Sequence, residues 1–184
     1  MGSFYTSHTV HGASQKELLD WLGSRPALVS KTQAGTTVVL DAACEDQDGD
    51  KLAGLAAQIS RQFDCAVLAV LNHDDGVLYF ELYESGEKTD EYNSNPAYFA
   101  ENAESDEPSG GDTIRLSTVF GVADPSKLDV ILRDTEYVVA TKRHHALALA
   151  MGLPLHSVGL GYKYVIEGNL PPGSPDGEYR HSKA

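Results

Sequence analysis

Apolar and polar positions change their spacing several times along the chain, and each change marks an element. Ala66-Val67-Leu68-Ala69-Val70-Leu71 is an almost unbroken apolar run of strand length. Asp75-Gly76 then supplies a tight-turn signal, and Val77 to Tyr83 alternates aliphatic, aromatic and acidic residues. A second turn, Glu84-Ser85-Gly86-Glu87, leads into Lys88 to Tyr92, whose polar composition suits a solvated edge strand. The pattern predicts a three-stranded meander.

Upstream, Phe4 to Val10 has strand composition, and Ser14-Gln15-Lys16-Glu17 is a capping box in front of Leu18, Leu19, Trp21 and Leu22. Gly23 and Pro26 end that helix. Ala27 to Ser30 and Thr36 to Leu40 read as a hairpin around Gln33-Ala34-Gly35. Leu52, Leu55, Ala56, Ile59 and Phe63 recur at helical spacing and predict a second helix over Lys51 to Phe63. The order is β-α-β-β-α-β, a ferredoxin-like unit, with two further strands beside the last. A sheet six strands wide is expected, with both helices on one face and the other face in need of cover.

Asn93 to Asp112 reads as a loop, with Pro96, Pro108, Gly110-Gly111 and four acids between Glu101 and Glu107. Beyond it Asp112 can cap a helix over Thr113 to Phe120, and Asp124-Pro125 opens another through Leu132. A third helix is expected to end at Met151, with Gly152 as its cap. Val158 to Ile166 reads as a last strand or ordered tail, and Pro171 to Ala184 as disordered. The division is a sheet-and-helix sandwich at 1–95, an acidic loop at 96–111, a helical part at 112–170 and a tail at 171–184.

Charge narrows the range of partners. Between Asp41 and Asp112 the chain holds 18 acidic and 3 basic residues, whereas the remainder is nearly neutral. Such a surface repels phosphate backbones and anionic lipid heads, so neither nucleic acid nor membrane is an expected partner. No apolar run has the length of a membrane helix, and the first residues lack a leader pattern, which places the protein in the cytoplasm as an expectation. Cys44 and Cys65 are too few for a disulfide framework and read as free thiols.

Two blocks of residues resemble a widespread group of uncharacterised bacterial proteins. The first comprises Val70-Leu71-Asn72-His73-Asp74-Asp75, Leu78 to Gly86, and Asp90-Glu91-Tyr92-Asn93-Ser94. The second comprises Ala150-Met151-Gly152-Leu153-Pro154 and Val158-Gly159-Leu160-Gly161-Tyr162-Lys163-Tyr164. The resemblance spans roughly residues 2 to 168. It implies no activity and supplies no catalytic residues.

Candidate chemistry is sparse. Glu45-Asp46-Gln47-Asp48-Gly49-Asp50 has the oxygen ligands of a calcium loop, but Lys51 and Ala57 stand where an EF-hand loop needs glycine and glutamate, which leaves a helix-capping role. His73, Asp74 and Asp75 combine an imidazole with carboxylates and form the one candidate for proton transfer, with or without a divalent metal. Lys142-Arg143-His144-His145 is the only basic cluster and reads as the solvated face of a helix, or as a patch for an anionic ligand. Tyr79, Glu81 and Tyr83 share one face of their strand, and Tyr5 and His11 share one face of the first, so an exposed sheet face bearing these residues is a candidate ligand surface. Motifs for nucleotide binding or a serine nucleophile are missing, and no cofactor is implied.

The sequence reading is therefore an α+β protein: a ferredoxin-like core, an antiparallel sheet extended by a meander, and a small C-terminal helical part. The expected function is a non-catalytic binding or regulatory module that takes a protein partner, a second copy through the open sheet face, or a small ligand. The alternative is a small-substrate hydrolase at His73 with Asp74 or Asp75.

Overall fold

A computed structural model describes residues 2–100, 105–170 and 176–182. Among these residues the chain is an α+β protein with six α-helices and one open sheet of eight antiparallel strands. The strands are β1 (Tyr5–His11), β2 (Ala27–Val29), β3 (Thr36–Asp41), β4 (Ala66–His73), β5 (Val77–Glu84), β6 (Glu87–Asn93), β7 (Ser109–Gly110) and β8 (Arg180–His181). Their order across the sheet is β7-β6-β5-β4-β1-β3-β2-β8. The helices are α1 (Gln15–Leu22), α2 (Gly49–Phe63), α3 (Thr113–Phe120), α4 (Pro125–Arg133), α5 (Ala140–Ala150) and α6 (Tyr162–Ile166).

Local chemistry accounts for most helix ends. Ser14 and Glu17 close a reciprocal capping box at α1, Asp112 accepts from Arg115 N at 3.0 Å at α3, and Asp124 precedes the first-turn proline of α4. The acidic loop caps α2 through Asp48, which accepts from Asp50 N and Lys51 N. Helix α5 is different: its N-cap position is Val139, which has no side-chain acceptor to offer.

Alternation in β4 and β5 sends two sets of side chains to opposite faces. Val67, Ala69 and Leu71 join Leu18, Leu52, Leu55, Ala56 and Ile59 beneath α1 and α2. Leu68, Val70, Leu78, Phe80 and Leu82 join Leu116, Leu128, Leu132 and Leu147 from α3, α4 and α5. A third cluster, Leu28, Val38 and Leu40 with Tyr162, Val165 and Tyr179, seats α6 and the tail on the same second face.

Several expectations are corrected. The sheet has eight strands because a two-residue strand is added at each edge. Val158 to Ile166 forms no strand; its apolar residues fall on the short helix α6, where Val165 reaches the sheet. The tail read as disordered returns at 176–182 to pair with β2, while 171–175, 183 and 184 lie outside the described residues. The second sheet face is covered by α3, α4, α5 and α6 of the same chain, which removes it as an open face for a second copy.

Candidate functional site

The β4–β5 turn is built from residues that few turns combine. Asp74 and Asp75 both adopt left-handed backbone, a conformation that aspartate tolerates better than most residues, and Gly76 N donates to the His73 carbonyl at 3.0 Å. A Cβ at Gly76 would sit 2.2 Å from the ring of Tyr98, so a larger residue there would have to displace that ring.

The structure separates the proton-transfer candidates. The His73 Nδ1–H donates to Gln47 Oε1, and the ring packs edge-on against Phe4, Tyr98 and Phe99 at 4.8, 5.7 and 5.0 Å. Asp74 accepts from Gly2 N at 2.9 Å. Asp75 accepts from Ser3 N at 3.0 Å, from Asn72 Nδ2 at 3.1 Å and from the Thr141 hydroxyl. Burial alone would raise the Asp75 carboxyl, but the bonds from Thr141, Ser3 and Asn72 prevail and hold it below its ordinary value. Its carbonyl accepts from Ala140 N at 2.9 Å. Asp75 thus takes over the cap that Val139 cannot provide, placing an anion at the positive end of α5. Among the described residues no hydrogen bond links either aspartate to His73.

The tyrosine candidates also divide. Strand pairing sets Tyr5 opposite Asn72, and Asn72 opposite Leu78, so Tyr5 and His11 share the face of Phe80. Tyr79, Glu81 and Tyr83 lie on the other face, beside α2. There the tyrosine hydroxyls donate to the two Glu81 oxygens at 2.7 and 2.8 Å, and Lys88 Nζ approaches at 3.1 Å. Burial, then the bond to Glu81, raises the Tyr83 hydroxyl to about 12. The network is closed upon itself. His11 meets Thr36 Oγ1 at 3.0 Å and the edge of Phe120 at 5.9 Å.

The basic cluster supplies what sequence reasoning misplaced. Only Lys142 and His145 face outward; Arg143 and His144 are each 2% exposed. The signal was present in the spacing, since Ala140, Arg143, His144, Leu147, Ala148 and Met151 form one helical stripe. The Arg143 guanidinium caps the end of α4: Nη1 donates to the Ile131 and Leu132 carbonyls at 2.7 and 2.8 Å, and Nη2 to Asp134 O at 2.6 Å. Its carbon lies 5.2 Å from the Tyr137 ring centroid. Its Nε–H has no partner, and no carboxylate pairs with it among the described residues.

Arg143 borders a cavity of about 320 Å³ between the β4–β5 turn, the segment after β6 and the α4–α5 connection. Gly76, Ser94, Asn95, Thr135, Tyr137 and Ala140 line it, and Asp106 and Glu107 stand at its exposed rim. The Asn95 Oδ1 atom is buried there without a donor. Neither Arg143 Nε nor Asn95 Oδ1 has surface open to the cavity, although both residues border it.

Fold and cavity define an α+β protein with a small pocket of mixed polar and apolar lining at one end of an eight-stranded sheet. No protein-family model matches the chain, and neither does any curated protein or solved structure. Among the described residues no three histidines, cysteines or acids gather to hold a metal ion, and no helix is long and apolar enough to cross a membrane.

Proposed function

We propose that this protein is a non-catalytic binding module that holds a small polar ligand in the cavity beside Arg143. The observation that carries the reading is the cavity itself, bordered by a buried guanidinium, Arg143, whose charge no carboxylate balances among the described residues. The volume lies at the lower end of the ~300–1,000 Å³ typical of ligand pockets, which suits a small molecule rather than a dinucleotide. We read the β4-β1-β3-β2 order, with α1 and α2 on one side, as a ferredoxin-like core that serves as scaffold. The pocket lies where the added meander and the C-terminal helices meet it.

The hydrolase reading at His73, Asp74 and Asp75 has less support. Both aspartates hold the N-terminal segment, and Asp75 also holds α5, so neither is free to orient the imidazole or a water.

A thermal-shift screen over amino acids, nucleotides and divalent metals tests the proposal, since a ligand that binds only the folded state raises apparent stability. A stabilising ligand is expected to move the amide NMR signals of Gly76, Asn95 and Ala140. Stabilisation by no compound, or signals that move only elsewhere, would remove the cavity as the site.

A further inference from the structure

Three aromatic rings meet in the open around His73. Phe4, Tyr98 and Phe99 are 41%, 37% and 65% exposed, and their ring centroids lie 4.8, 5.7 and 5.0 Å from that of His73. They come from separate parts of the chain, and each part is fastened. Asp74 and Asp75 hold the residues before Phe4 through Gly2 N and Ser3 N, Gln47 holds the His73 ring, and Tyr98 N donates to Asn95 O at 3.1 Å. Single exposed apolar residues are ordinary on a protein surface, but a clustered and anchored group marks a contact surface. Rings already fixed in place lose little freedom when a partner covers them.

Charge selects the partner. Asp74, next to His73, is exposed and forms no ion pair among the described residues. Gln47 lies in the chain between Asp46 and Asp48, which share one ammonium, that of Lys51. From Asp41 to Asp112 there are 18 acids and 3 bases, and the bases, Lys51, Arg61 and Lys88, are all paired with acids of the same segment. An acidic partner or an anionic lipid is repelled here. A second copy brings the same acids, since a two-fold contact sets a patch against itself. An uncharged apolar segment covers the rings but leaves the carboxylates without a counter-charge. A basic segment meets both needs, its cations lying over ring faces and pairing with the carboxylates at the edge.

We infer that the aromatic surface around His73 docks a linear, arginine- or lysine-bearing segment of a partner protein. This is independent of the cavity and its ligand. It gives the His73-Asp74-Asp75 turn a role without proton transfer: the imidazole is the platform on which the rings rest, and the aspartates hold the segment that carries Phe4. Phe99, the most exposed ring, has much of its surface free for a guanidinium or an aliphatic stem. A patch of so few rings suits a short segment held by one or two anchors, not a broad protein–protein interface.

Calorimetric and NMR titration of the full chain tests the inference, with a short acetylated and amidated peptide of alternating arginine and glycine. Matched peptides carry norleucine or glutamate in place of arginine. The arginine peptide is expected to bind at low ionic strength, to shift the ring signals of Phe4, His73 and Phe99, and to weaken as salt is added. The norleucine and glutamate peptides should bind at least about tenfold more weakly. Phe99→Ser keeps every charge and alters an exposed side chain, so it should leave the melting temperature unchanged and weaken the arginine peptide about three- to tenfold. Asp74→Asn keeps an oxygen for Gly2 N and should weaken the peptide severalfold. No binding of the arginine peptide, equal binding of the norleucine peptide, or shifts confined to other parts of the chain overturn the inference. Binding that Phe99→Ser leaves intact is general charge attraction and overturns it as well. Self-association of the chain alone in sedimentation velocity, abolished by Phe99→Ser, gives the surface to a second copy and overturns the basic partner.

Discussion

The Tyr5 hydroxyl lies 2.8 Å from Nδ1 of His144, joining the first strand to the helix that closes the second face of the sheet. The rings are stacked with centroids 5.8 Å apart, and Thr141 and the Gly159 main chain also approach the hydroxyl. His144 Nε2 has no partner in this buried setting. Burial therefore penalises the imidazolium and pushes His144 down to about 3, with His145 adding a smaller push in the same direction. His8, whose Nε2–H donates to Leu52 O at 3.0 Å, is lowered by burial too.

These histidines make stability fall in mild acid. An unfolded imidazole takes up its proton near pH ~6.5. Below that value the unfolded state binds more protons than the folded one, so the contribution is complete above about pH 6.5 and shrinks as pH falls toward the folded-state value. Well below pH ~6.5 His144 adds at most about 1.4 kcal/mol per pH unit to that slope, and His8 acts in the same direction. His144→Gln retains a polar partner for Tyr5 and removes the titration. Urea unfolding followed between about pH 6 and 4.5 should show a slope smaller by up to about 1.4 kcal/mol per unit in the variant. Identical slopes would show that His144 is protonated or exposed in the folded protein.

The second face depends on Phe80, which stacks on Tyr92 at 5.1 Å within the cluster formed with α3, α4 and α5. Phe80→Ala should cost about 3–5 kcal/mol through lost burial and a residual cavity. Thr89→Ala, which loses a half-buried hydroxyl bonded to Glu84 at 2.7 Å, should cost about 1 kcal/mol. Comparable effects in urea melts would contradict the packing of β5 against the C-terminal helices.

Features encoded by neighbouring residues were legible in the sequence. The capping box at Ser14 and Glu17, the cap at Asp112 and the Asp124-Pro125 start each rest on contacts a few residues apart, and the helices begin where those residues place them. Features set by distant pairing were not. Which face carries Tyr79, Glu81 and Tyr83 relative to Tyr5 and His11 depends on the offset between β1 and β4, where Tyr5 meets Asn72, and no local pattern encodes that offset. The edge strand at Arg180–His181 is two residues long, too short for any periodicity. The pocket was hidden by residue type: a run of Lys, Arg and two His suggests a wet surface, although Arg143 and His144 fall on the buried stripe of α5.

Asp75 should behave as a structural residue. Removing its carboxylate takes acceptors from Ser3 N, Asn72 Nδ2 and Thr141, and takes an anion from the start of α5. Asp75→Ala is expected to destabilise the protein by about 1–3 kcal/mol, the usual cost of lost hydrogen bonds to a charged group. Amide exchange should rise at Ser3, whose N–H loses its carboxylate acceptor, and less at Ala140, whose N–H keeps the main-chain carbonyl of residue 75. Unchanged exchange at Ser3 would mean that the carboxylate does not hold the N-terminal segment.

The C-terminal strand should protect the edge of the sheet. Ser182 N donates to Ala27 O at 3.0 Å, Ala27 N donates to the Ser182 hydroxyl at 3.1 Å, and that hydroxyl in turn donates to the Arg25 carbonyl. Tyr179 packs against the Leu28, Val38 and Leu40 cluster, and its hydroxyl donates to His156 O at 3.0 Å. Truncation after Leu170 removes all of these and leaves β2 as a bare edge with unpaired N–H and C=O groups, a template for pairing with another chain. Loss of the Tyr179 burial and the paired groups should lower unfolding free energy by about 2–4 kcal/mol. The truncated chain should also self-associate in sedimentation velocity at concentrations where the full chain does not. Ser182→Ala isolates the hydroxyl and should cost about 1–3 kcal/mol without promoting association, since the main-chain pairing of β8 with β2 remains. A truncated protein as stable and as dispersed as the full chain would show that β8 is dispensable to the sheet.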